Sequence, residues 1–107
     1  MRLLDLEPRW IEADGRRLGF VFRCPTKPIW WQSCFIEHVE RRDQWRLLEE
    51  TTGGSQYQAC NPDARWVIAG GIQDAVFETL TVSPSLDGSA GGLWHGHILN
   101  GQIVGGL

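Results

Sequence analysis

Among the 107 residues are three histidines, and two of them stand one residue apart in Trp94-His95-Gly96-His97. With three cysteines, Cys24, Cys34 and Cys60, these rings are the natural zinc ligands of the chain. Structural zinc takes four Cys or His ligands, usually as two close pairs on two turns. Cys24 precedes Pro25 at a turn where a zinc knuckle would begin, but Lys27 stands where its mate would fall. His95 and His97 offer the second pair. Strand alternation is expected to turn the two rings to opposite faces, so that both reach one ion only through a twist or bulge. The metal set Cys24, His95 and His97 is therefore read as incomplete unless Cys34 or Cys60 completes it.

A nucleophile reading uses Ser83 or Ser85 with His95 or His97 and Asp87. The residue types suit acyl transfer, but no strained glycine-flanked elbow presents the serine. Cys34 or Cys60 with a histidine fares no better. A phosphate cradle is excluded, because Gly88, Gly91 and Gly92 precede a strand and not a helix N-terminus. Against these stands a purely structural reading of Thr79 to Gly101. Pro84 interrupts a strand, Asp87-Gly88 turns the chain, Trp94 plugs the core, and a histidine ring bonds a backbone carbonyl.

The elements that must position these groups follow from periodicity. Leu18–Arg23 alternates with Leu18, Phe20 and Phe22 on one face, and Pro25 ends the ladder. Ile29–Glu37 is a second strand, with Ile29, Trp31, Ser33 and Phe35 on one side and Trp30, Gln32, Cys34 and Ile36 on the other. The intervening CPTKP makes a constrained hairpin tip. His38–Glu50 has the texture of a helix, with Glu37/Arg41 and Arg46/Glu50 at i,i+4 spacing and Trp45 sharing an apolar stripe with Leu48. Thr51-Thr52-Gly53-Gly54-Ser55 ends it. Arg65–Ala69 and Ala75–Val82 are strands joined across Gly70-Gly71. Leu93–Leu99 and Gln102–Val104 form a closing hairpin about Asn100-Gly101. The sum is an α+β fold, sheet-dominated, with one helix in a single domain spanning residues 1–107.

Composition bounds the partners. No apolar run reaches the roughly 18 to 20 residues that span a bilayer. Acids in MRLLDLEPRW break the apolar stretch a secretory signal needs, which points to the cytoplasm. The net charge of −3 makes nucleic acid an unlikely partner. Single-strand stacking by tryptophan beside Arg41, Arg42 and Arg46 is the form such binding would take. An odd number of irregularly spaced cysteines suits free thiols better than a disulfide framework. Six tryptophans supply burial to a small core and are also enriched at interfaces, with core the favoured role for most of them.

MRLLDLEPRW, FVFRCP and FETLTVSPSLDGSAGGLWHGHILNG, in that order and spanning nearly the whole chain, resemble a family of small phage and bacterial proteins described as a domain of unknown function. Phage members carry the label "ammonia monooxygenase". The resemblance implies a zinc-ribbon-like, β-rich scaffold with an early cysteine knuckle and a Cys-x-x-His-like pair before the closing hairpin. This chain keeps Cys24 and His95 but has Lys27 and Gly91-Gly92-Leu93 where the other ligands would stand, so the hairpins are read as a degenerate zinc ribbon. The monooxygenase label conflicts with the small size and the lack of membrane spans.

The function expected from these readings is that of a non-enzymatic phage-type module binding a host or defence protein, without cofactor, through Trp30, Trp31, Trp45 and Trp94. The alternative is a zinc-dependent hydrolase-like enzyme, or a metal-binding accessory protein of a protein-modification system, using Cys24, His95 and His97.

Overall fold

Asp14 and Gly15 both adopt positive φ, 53° and 76°. This is the backbone that a two-residue hairpin turn demands, and it joins β1 (Arg9–Ala13) to β2 (Arg16–Arg23). The computed structural model describes residues 1–54, 57–59 and 63–107. β2 pairs antiparallel with β3 (Trp31–Phe35), and the CPTKP tip between them closes through hydrogen bonds from Cys24 N to Trp30 O and from Trp30 N to Lys27 O, both 2.9 Å. β4 (Tyr57–Ala59) adds in parallel to β3, giving the order β1-β2-β3-β4.

The second sheet is antiparallel, in the order β5-β6-β7-β8: β5 (Val67–Ile68), β6 (Val82–Asp87), β7 (His95–Leu99) and β8 (Gln102–Val104). Asn100 and Gly101, with φ of 47° and 74°, make the β7–β8 turn. The chain start lies along β8, where Leu3 N donates to Gly101 O and Ile103 N to Met1 O, each 2.8 Å, so this edge is partly covered. The fold is α+β and sheet-dominated, and α1 (Arg41–Thr52) is the α-helix among the described residues.

Side-chain alternation on the first sheet explains how these pieces stack. Phe20, Phe22, Cys34 and Trp10 face the second sheet, where Leu80, Val82, Leu86, Trp94, Ile98 and Ile103 complete a core. Ile11, Val21, Trp31 and Phe35 face the other way, onto Leu47 and Leu48 of α1. The first sheet is thus the middle layer between the second sheet and the helix, and β3 is buried along its whole length.

Four elements depart from the sequence reading. Leu18 packs with Val21 on the helix side, not with Phe20 and Phe22, because the β1–β2 register jumps from Ile11↔Gly19 to Glu12↔Arg17 and leaves Leu18 as a bulged extra residue. Ala75–Val82 is not a strand. Phe77–Thr79 forms a 3-10 turn, with Phe77 stacked on Trp10 at 4.1 Å, and the strand begins only at Val82. Pro84 does not stop β6; lacking an N–H, it coincides with the register irregularity between Val82 and Leu86. On α1 the buried stripe is Gln44, Leu47, Leu48 and Thr52, while Trp45 stands 61% exposed. The i,i+4 pair Arg46–Glu50 forms at 3.3 Å, but Glu37 lies before the helix and pairs with Arg16. β1 and β4 were not anticipated. Ser55 and Cys60 lie outside the described residues.

Candidate functional site

The residues named as metal ligands are divided by the second sheet. Cys24 is fully buried in the core between the sheets, its Sγ 3.3 Å from Thr26 Oγ1. On β7, Gly96 and Ile98 point into that core, so His95 and His97, one pleat out of phase, both point to solvent. The expectation that the two rings would diverge is corrected, since residues two apart share a face. Cys24 cannot join them, because the sheet stands between. Lys27 fills the space facing the glycine loop: a β-carbon on Gly92 would come within 3.2 Å of its Nζ. Among the described residues no group of three His, Cys, Asp or Glu side chains is arranged to hold an ion, and the zinc-ribbon-like reading gains no support.

The tryptophans divide in the same way. Trp94 is buried, and its Nε1 donates to Gly105 O at 2.8 Å. Its ring lies over Gly96, where any β-carbon would strike it, which accounts for the glycine between the two histidines. Trp31 is also buried, with the guanidinium groups of Arg9 and Arg23 over its ring at 4.8 and 4.0 Å from the centroid. These two are core residues and are withdrawn as contact residues. Trp30 is half-buried against the inter-sheet core. Trp45 alone of the four projects into solvent, tilted against Tyr57 at 5.2 Å. Two of the arginines near it are engaged: Arg46 with Asp43 and Glu50, and Arg41 with Asp63 at 2.7 Å.

Two surface features bear on function. A groove of about 650 Å³ opens between the N-terminal 3-10 turn (Leu3–Leu6) and the β2–β3 tip, lined by Met1, Leu6, Pro25, Pro28 and Ile29 with Asp5, Glu7 and Arg23. Its charges are neutralised in place, Glu7 by Arg23 and Asp5 by Arg2, each at 3.2 Å. Hydrogen bonds from the Arg2 backbone and side chain hold the Asp5 carboxyl below its usual pKa. Ile29 is 66% exposed at the lip. The sequence signal for this groove was the pair of prolines at the tip, which forbid regular pairing and leave apolar surface uncovered.

The other feature is on the outer face of the second sheet. The β6–β7 register sets Asp87 opposite His95, and Ser85 and Asp87, two apart, both face outward. Ser85 Oγ lies 3.4 Å from His95 Nε2, and Asp87 Oδ1 lies 3.8 Å from His95 Nδ1. His95 thus contacts side chains, and among the described residues neither it nor His97 makes the backbone-carbonyl bond expected of a histidine in this stretch. No protein-family model, curated protein or solved structure matches this chain.

Proposed function

We propose that this protein is a binding module for another protein, and that it takes an uncharged apolar segment of its partner into the groove beside the β2–β3 tip. The observation that carries this is the combination at one site of apolar walls, an exposed isoleucine at the lip, and acids already paired with arginines. A groove whose charges are internally satisfied gains little from a charged ligand, whereas each apolar side chain buried there contributes roughly 1.5 to 3 kcal/mol. The carboxylates of its lining are each held by an arginine, an arrangement that suits binding. The resemblance to phage and bacterial proteins directs the search for the partner to host and defence proteins.

The test compares tagged wild-type protein with Ile29→Asp, a substitution at an exposed tip residue that leaves the melting transition in place. A partner captured by the wild type, then purified, binds Ile29→Asp at least about tenfold more weakly, a loss of about 1.4 kcal/mol. Equal affinity for both forms overturns the assignment of the groove. So does wild-type protein that captures nothing from host cells.

A further inference from the structure

We propose that Ser85 is an acyl-accepting nucleophile, served by His95 as its base and by Asp87 as the group that orients the base. The argument begins with strand register. On β6, Ser85 and Asp87 occupy neighbouring outward positions, and on β7 His95 stands across from Asp87, so the ring falls between a hydroxyl and a carboxylate. The order of contacts is the productive one. Nε2 faces the Ser85 hydroxyl at 3.4 Å and Nδ1 faces the Asp87 carboxylate at 3.8 Å. A carboxylate accepts and never donates when ionised, so it favours the tautomer with its proton on Nδ1. That leaves the Nε2 lone pair directed at the serine. Both distances exceed hydrogen-bond optimum, as resting catalytic contacts often do.

Two further observations support the cluster. The Ser89 hydroxyl and backbone N–H both donate to Asp87 Oδ1, the latter at 2.9 Å, which keeps the carboxyl ionised and fixes its position. Beside Ser85 lies a groove of about 330 Å³ lined by Trp66, Pro84, Ala64, Ala90 and Arg65, and Trp66 Nε1 donates to Ser85 O at 3.1 Å. Its size and its aromatic wall suit the acyl or aryl part of a small activated ester.

In the first step the Ser85 oxygen attacks the ester carbonyl carbon as its proton passes to His95 Nε2. The tetrahedral adduct then breaks the bond to the leaving oxygen, which takes the proton from Nε2 and departs as an alcohol or phenol. Water next attacks the acyl-serine and gives a proton to His95. The carboxylic acid leaves, and the proton on His95 returns to the serine oxygen. Because the histidine and aspartate are about half exposed, charge stabilisation is weak in this water-rich setting. With an aryl ester, whose phenolate leaves more readily than a serine alkoxide, acylation is expected to outrun hydrolysis of the acyl-serine.

The probe is p-nitrophenyl acetate, read by release of p-nitrophenol and by peptide mass spectrometry. One acetyl group maps to Ser85, Ser85→Ala removes it, and His95→Gln slows its formation at least about a hundredfold, the lower range of general-base catalysis. Ser85→Cys restores acylation on the thiol, whereas His97→Gln leaves the rate at the wild-type value. Acetyl groups found only on lysines, on the N-terminus or on a histidine would refute the assignment. An unchanged rate in His95→Gln with intact melting would do the same. Partner capture reads the groove and acetyl mapping reads this serine, so failure of one and failure of the other are separate results.

Discussion

At the scale of single residues, the tryptophans carry the clearest contrast. Trp94 fills the space between the sheets while Trp45 stands in solvent. Trp94→Ala is expected to cost about 3 to 5 kcal/mol in denaturant melts, as deletion of a buried aromatic does. Trp45→Ala is expected to shift stability by no more than about 0.5 kcal/mol, as exposed substitutions do. A second residue-level expectation concerns Asp63. The Arg41 guanidinium, bonded to it at 2.7 Å, holds its carboxyl below the ordinary aspartate value of 3.8. A depressed folded-state pKa means that the pair favours the fold above the unfolded value, and that this contribution is lost as pH falls through the folded one. Carboxyl titration by NMR should place the Asp63 midpoint below 3.8, and Arg41→Ala should raise it back towards that value. A midpoint unmoved by the substitution would contradict the pairing.

Turns account for most of what was legible in the chain at the scale of elements. Asn100-Gly101 announced the β7–β8 hairpin because both positions take positive φ, which these two residue types tolerate. Asn100→Asp should stay within about 0.5 kcal/mol of wild type. Gly101→Val should destabilise by about 1 to 3 kcal/mol or more, since a branched residue is strained there and a β-carbon would also strike Glu78 O. Asp14-Gly15 carried the same signal for β1 and β2, and with it the bulge at Leu18 could have been looked for. Phe77 was harder to place. Its run reads as a strand by residue type, yet stacking on Trp10 holds it in a 3-10 turn, a preference set by a residue far away in sequence.

The whole molecule is organised by the first sheet, which serves both cores at once. Gln32, buried on β3, ties that sheet to the second. Its Oε1 accepts from Trp94 N at 3.3 Å and its Nε2 donates to Trp94 O at 3.2 Å. Gln32→Leu strands the Trp94 N–H in the core and is expected to cost about 1 to 3 kcal/mol. Because both faces of one sheet are committed, near-UV and far-UV signals should melt together in wild type and variant alike. Separate transitions would show that the helix layer and the second sheet unfold independently.

Taken alone, the sequence determined local facts: the turn at Asn100-Gly101, the strand character of β2, β3, β7 and β8, the neighbourhood of the helix, and that Gln32 and Cys34 share one side of β3. Glycine, proline and side-chain period report on backbone conformation within a few residues, so these features needed no partner to be read. Only the tertiary structure decided which of those faces meets another layer. It placed Cys24 inside and His95 and His97 outside, buried Trp31 and Trp94 while leaving Trp45 bare, and brought Ser85, His95 and Asp87 together through strand register. Periodicity tells a face from its opposite, but burial depends on what packs against it, and that is settled by contacts between residues distant in the chain.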